Sequence, residues 1–142
     1  MKKLLSLVTI FFVTLVGVHA QKDNRVFRAY LYNNEYEVYM KIDFYDESIV
    51  VPDQELYGEL PGYLGKKNNP FCWVITRATV KDESTAEISL INDYGSEDLT
   101  ASLICLNDST YQLRQINGSS LKVPKKGRWQ KLPKTLELKR KR

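Results

Sequence analysis

The stretch Glu35 to Tyr45 constrains this chain more than any other. Tyr36, Val38, Met40, Ile42 and Phe44 alternate there with Glu35, Glu37, Tyr39, Lys41 and Asp43. Successive side chains of a β-strand point to opposite faces, so period two sorts these residues into an apolar face and a polar one. A one-residue slip would bury Lys41 and Asp43 and expose three large apolar groups, so the register is strongly specified. The pattern predicts a half-buried antiparallel strand with Met40, Ile42 and Phe44 inward and Lys41 and Asp43 in solvent.

The rest of the chain reads the same way. Tyr, Val, Ile, Leu and Thr are abundant, and turn residues recur about every ten positions, the spacing of an all-β sandwich or barrel. Arg25 to Tyr32 is strand-like, and Asn33-Asn34 suits a tight hairpin into the next strand. Gln54 to Leu60 reads as a third strand, followed by a bend at Pro61-Gly62 and Gly65 and a loop from Lys66 to Pro70. Phe71 to Val80, Ala86 to Ile91, Asp98 to Leu106 and Thr110 to Ile116 follow as strands. Asn117-Gly118 is the best short hairpin signal, with Ser119 to Val123 pairing back. Arg128 to Lys139 ends the sheet, and Pro133 within it removes a ladder donor, which marks an edge or bulged strand. No helical periodicity appears after residue 20. The expected fold is an antiparallel meander of about eight strands closing into a small barrel or barrel-like sandwich over residues 21–138, with a frayed basic tail at 139–142.

Residues 1–20 read as a cleavable secretory signal peptide. Lys2 and Lys3 precede an apolar run from Leu4 to Val18, and Val18-His19-Ala20 sets small residues three before and one before a cut. The run is shorter than the roughly 20 residues a spanning helix needs. A secreted or periplasmic domain without stable membrane insertion is therefore expected. Export places the two cysteines, Cys72 and Cys105, where disulfides can persist. They admit three readings: a bridge between neighbouring strands, two buried thiols acting as small hydrophobes, or a reactive thiol. The bridge is the first expectation; it would close a loop of about 33 residues and contribute about 3–4 kcal/mol.

Several segments carry a resemblance. Tyr36 to Tyr45, Gly58-Glu59-Leu60-Pro61-Gly62, Asn92 to Leu99, and Gly127-Arg128-Trp129 followed by Leu132-Pro133 resemble a family of small secreted Bacteroidetes proteins across nearly all of the mature chain. That family has no assigned function, so the resemblance implies export and supplies no mechanism. The closing Gly127-Arg128-Trp129 is also similar to the Gly-x-Trp of calycin-like barrels.

Composition narrows the chemistry. His19, in the leader, is the only histidine, which excludes histidine-based triads and histidine-ligated zinc from the mature chain. No cofactor or metal is expected. Asn92 to Asp98 offers oxygen ligands around Gly95, but its spacing is not that of an EF-hand loop, and its residues are ordinary turn formers. Asp108-Ser109-Thr110 is similar to an O-glycosylation acceptor, with Ser109 as the acceptor. Asp43, Asp46, Glu47, Asp53, Glu55 and Glu59 could supply a glycosidase pair, though a solvated surface accounts for them.

Charge divides the chain. Residues 21–110 hold 8 Lys and Arg against 16 Asp and Glu, a net of −8, while residues 111–142 hold 11 against 1, a net of +10. The first reading is internal complementarity between first and last strands; the other is a basic face for an anionic partner. Nucleic acid is not expected, because the bulk of the chain is acidic. Tyr30, Tyr32, Tyr39 and Tyr45 are expected on outward faces of the first hairpin and form, with Trp129 as a core or groove residue, the candidate recognition set, though β-propensity alone accounts for the tyrosines; Trp73 is expected inside. The resulting expectation is a non-enzymatic binding domain for a protein, glycan or small ligand. The alternative is a carboxylate-dependent glycan hydrolase. Two acids across a cleft would favour the hydrolase, and a filled interior the binder.

Overall fold

The computed structural model describes residues 25–142. Residues 1–20, expected from the sequence to be a signal peptide, and the expected cleavage site after them lie outside the described residues. Twelve strands follow in order: β1 (Arg28–Asn33), β2 (Val38–Asp43), β3 (Ile49–Val50), β4 (Glu59–Leu60), β5 (Gly62–Lys66), β6 (Asn69–Val80), β7 (Thr85–Asn92), β8 (Asp98–Asn107), β9 (Thr110–Gly118), β10 (Lys122–Lys125), β11 (Arg128–Lys131) and β12 (Thr135–Arg140). Eight of them form a closed antiparallel barrel in the cyclic order β1-β2-β5-β6-β7-β8-β9-β12. The two short pairs β3-β4 and β10-β11 are excursions from this meander. Closure leaves no unpaired barrel edge.

Alternation builds the interior. Leu31, Met40, Ile42, Leu64, Trp73, Ile75, Ile88, Leu103 and Leu113 are buried in one continuous core. Met40, Ile42 and Phe44 are inside and Lys41 is exposed, as period two requires. At Thr76 a bulge in the β6-β7 ladder adds one residue, so Ala78 rather than Arg77 continues the inward face. Trp73 is fully buried, and its Nε1 donates to the Lys122 carbonyl at 2.8 Å. Leu121 and Val123 insert into the same core, so the β10-β11 hairpin covers one end of the barrel, here the upper rim. The lower rim is closed by stacked Phe27 and Phe44 and by Tyr111, whose hydroxyl donates to the Val26 carbonyl at 2.6 Å. The interior is filled with side chains.

Several local readings are corrected. Asp43 is buried rather than solvated: its carboxylate accepts from the Tyr45 and Asp46 amides at 3.1 and 3.0 Å, and Arg28 lies 3.5 Å away. Residues 54–60 do not form one strand; Glu55–Tyr57 is a 3₁₀ turn between β3 and β4. Asn117-Gly118 makes no hairpin. Gly118 extends β9 against Leu99, and a Cβ there would lie 2.6 Å from the Asp98 carbonyl oxygen, so the glycine serves a close backbone approach. The first turn is also longer than expected, with Glu37 rather than an Asn at positive φ. At the C-terminus, Lys139 and Arg140 belong to β12 and pair with Tyr32 and Leu31.

The segment between β2 and β5 folds over the outer wall. Val51 is fully buried there against Tyr63, Cys72 and Val74, with Ile49, Leu60 and Ile91 around it. This flap ends near the upper rim, where the Gln54 amide donates to Asp93.

Candidate functional site

β1, β2 and β5 are neighbours in the barrel wall, and their outward residues form an aromatic array. Register sets Tyr32 opposite Tyr39, and Tyr39 opposite Gly65. Tyr30 and Tyr39 stack with ring centroids 5.6 Å apart and planes within 8°. Tyr39 meets Tyr63 edge to face at 5.8 Å. Such pairs contribute roughly 0.5–1.5 kcal/mol beyond area burial. Space for the Tyr39 ring comes from Gly65, which has no Cβ to obstruct it.

The array opens into a groove of about 800 Å³ at the upper rim. Tyr30, Tyr32 and Tyr39 form one side of it, and the amide side chains of Asn33, Asn34, Asn68 and Asn69 border it. Lys66 is buried, with its Nζ donating to the Tyr36 carbonyl at 2.8 Å and lying 3.5 Å from Glu37. Lys141 sits over the Tyr30 ring at 5.4 Å. Burial, and then the neighbouring Tyr39, raises the pKa of Tyr30. Tyr63 is raised far more, by burial first and then by the Tyr39 hydroxyl. Both rings thus keep a neutral hydroxyl that can donate a hydrogen bond.

The structure brings together Tyr30, Tyr32 and Tyr39 of the expected recognition set. Tyr45 is elsewhere, at the lower rim, where its hydroxyl accepts from the Phe27 amide at 3.2 Å. Trp129 belongs to a second aromatic group with Phe71 at 5.0 Å and Tyr94 at 6.5 Å. Tyr63, Gly65, Phe71 and Tyr94 complete these groups without having been singled out in the sequence. Tyr63 and Gly65 were hidden because Pro61 to Gly65 reads as a bend, yet β5 runs through it.

The expected disulfide is absent: both cysteines are free thiols. Cys72 lies near the β7 end at Asn92, since Trp73 pairs with Asn92. Cys105 lies at the other end of β7, its amide bonded to the Ser84 carbonyl. Most of the length of β7 separates them, roughly 20–25 Å at strand rise, against the roughly 4.4–6.8 Å between Cα atoms that a bridge needs. The Cys72 thiol is pushed up to about 11, by burial first and then by Asp93 and Asp53.

Ser109 sits in the β8-β9 turn, with its amide and hydroxyl both donating to Asn107 Oδ1. In the Asn92 to Asp98 turn, Asn92 Oδ1 accepts from the Ser96 and Glu97 amides, and Glu97 holds Lys122 at 3.1 Å. Among the described residues no group of three or more His, Cys, Asp or Glu could hold a metal ion, and no helix is long and apolar enough to cross a membrane. Of the acids, Asp46 pairs with Arg25 and Arg28. Asp93 is raised by burial first and by Asp53 second, and lowered by its bond from Gln54.

Internal charge complementarity is not what the barrel builds. Among the described residues, ion pairs join the eleven cations of residues 111–142 to acids in two places, Lys122 with Glu97 and Lys139 with Glu137. Only Glu97 comes from the acidic part of the chain. Comparison of the chain with protein-family models, with curated proteins and with solved structures gives no match.

Proposed function

We propose that this chain is an exported, non-enzymatic binding domain that holds a glycan segment in the groove beside Tyr30, Tyr32 and Tyr39. The carrying observation is the ordered tyrosine array on the outside of a barrel whose interior is full. A pyranose offers a face of C–H groups and a rim of paired hydroxyls. Tyrosine faces complement the former, and the Asn34, Asn68 and Asn69 side chains around the groove complement the latter. A glycosidase would place two acids about 5 or 6.5–9.5 Å apart across its cleft. The groove is bordered by one acid, Glu37, which faces Lys66.

Tyrosine-ring NMR during titration with neutral oligosaccharides tests this. Signals of Tyr30, Tyr32 and Tyr39 shift while that of Tyr45 stays, and Tyr39→Ala abolishes the response. Shifts centred on Tyr45, or no response to any oligosaccharide while short peptides do bind, would overturn the reading. Export is tested separately: the processed protein begins at or within a residue or two of Gln21, and full-length protein in the membrane fraction would contradict it.

A further inference from the structure

The β10-β11 hairpin holds cations in an arrangement that is unfavourable in isolation. Register sets Lys122 directly opposite Lys131, and Lys125 directly opposite Arg128. Like charges directly opposite on paired strands destabilise the pair. Glu97 relieves Lys122. Lys125, Lys126, Arg128 and Lys131 are exposed and make no ion pair among the described residues. The tip turns at Lys126 and Gly127, both at positive φ.

Two aromatic rings stand beside these charges. Trp129 is 49% exposed, and Tyr94, 72% exposed, reaches it from the β7-β8 turn. The mount beneath them is rigid: Leu121, Val123 and Leu132 are core residues, and Trp73 holds the Lys122 carbonyl. Glu97 is paired with Lys122, and Asp93, which lines the same cleft as Arg128 and Trp129, accepts from the Gln54 amide. The result is a projecting, firmly held tip with cations on both strands and indole and phenol rings at its flank.

We infer that this hairpin docks the barrel onto an anionic lipid bilayer. Lysine and arginine near such a surface are drawn to its negative potential. Tryptophan and tyrosine partition to the headgroup level, where an apolar body and a polar tip are both satisfied. Lipid phosphates would also relieve the Lys125–Arg128 and Lys122–Lys131 repulsions. A soluble polyanion would match the cations equally well; the headgroup layer also accommodates the indole and phenol rings, which border a shallow cleft with Phe71 and Arg128. The inference stands apart from the tyrosine groove and does not depend on it.

Vesicle co-sedimentation with tryptophan fluorescence tests it on residues 21–142. The protein binds phosphatidylcholine vesicles that contain phosphatidylglycerol, and not vesicles of phosphatidylcholine alone. Binding weakens with added salt, and Trp129 emission moves to the blue; Trp73, already buried, does not contribute to that shift. The Lys125→Glu/Arg128→Glu double variant, at exposed sites that leave thermal unfolding unchanged, loses roughly tenfold or more in affinity. Trp129→Phe keeps most binding and abolishes the blue shift. Equal binding to both vesicle types, no binding, or binding to heparin or polyuridylate with no vesicle-induced blue shift would overturn the inference.

Discussion

Tyr39 lies over Gly65 of the adjacent strand: a Cβ on Gly65 would sit 2.4 Å from the Tyr39 Cζ and 2.5 Å from its hydroxyl oxygen. The two residues are register partners, and the Tyr39 ring is also packed against Tyr30 and Tyr63. Gly65→Ala should cost about 1–3 kcal/mol, as overpacking does, and should displace Tyr39 from Tyr30. In a double-mutant cycle the Gly65→Ala penalty should shrink in a Tyr39→Ala background. Additive effects in chemical denaturation would show that the two residues do not compete for one space.

Asp43 should matter more than its charge suggests. It holds two amides of the following turn and faces Arg28 in a buried site. Asp43→Ala is expected to cost about 2–3 kcal/mol, because donors are left without a partner. Phe44→Ala should cost about 3–5 kcal/mol, and exposed Lys41→Ala should stay within about 0.5 kcal/mol. Urea denaturation of the three variants checks this order.

Both thiols should titrate as free in unreduced, denatured protein. In the native protein Cys72 should resist alkylation at mildly alkaline pH, since its buried thiol is held at about 11 and the thiolate is the nucleophile. Mass spectrometry after timed alkylation reads this directly. Rapid modification of native Cys72 would mean that the flap carrying Val51 opens easily.

Asp93 gives the flap a pH dependence. Its carboxyl is raised above its ordinary 3.8, so the folded state binds this proton more tightly than the unfolded chain does. Stability should therefore fall as pH rises from about 3.8 through the raised value. Asp93→Asn should flatten that part of the profile and leave the rest unchanged. A profile that rises there, and is unaltered by the substitution, would contradict the burial of the Asp93 carboxyl.

The barrel was legible in the sequence because alternation reports it directly. Val38 to Phe44 and Ala86 to Leu90 each show one face inside, and both were readable without coordinates. What escaped was set by distant contacts. Asp43 looked solvated because the pattern describes a face, not a turn that folds back on a carboxylate. Gly118 looked like a hairpin because its positive φ, at 99°, is the same signal whether a chain reverses or a neighbouring backbone approaches. The groove was half visible: Tyr30, Tyr32 and Tyr39 stood out, but Gly65 acquires meaning only once β5 lies beside β2.

The seam that closes the barrel has a consequence for how the chain is made. β1 meets β12 through only two register pairs, Leu31 with Arg140 and Tyr32 with Lys139. β1 must therefore wait until β12 has been made before it can find this neighbour. Until then the chain remains an unclosed ribbon with both outer strands unpaired. The groove follows the same timetable: Tyr32 acquires its neighbour Lys139 only once β12 has been made, so loss of residues 139–142 would remove the zip beside the tyrosines.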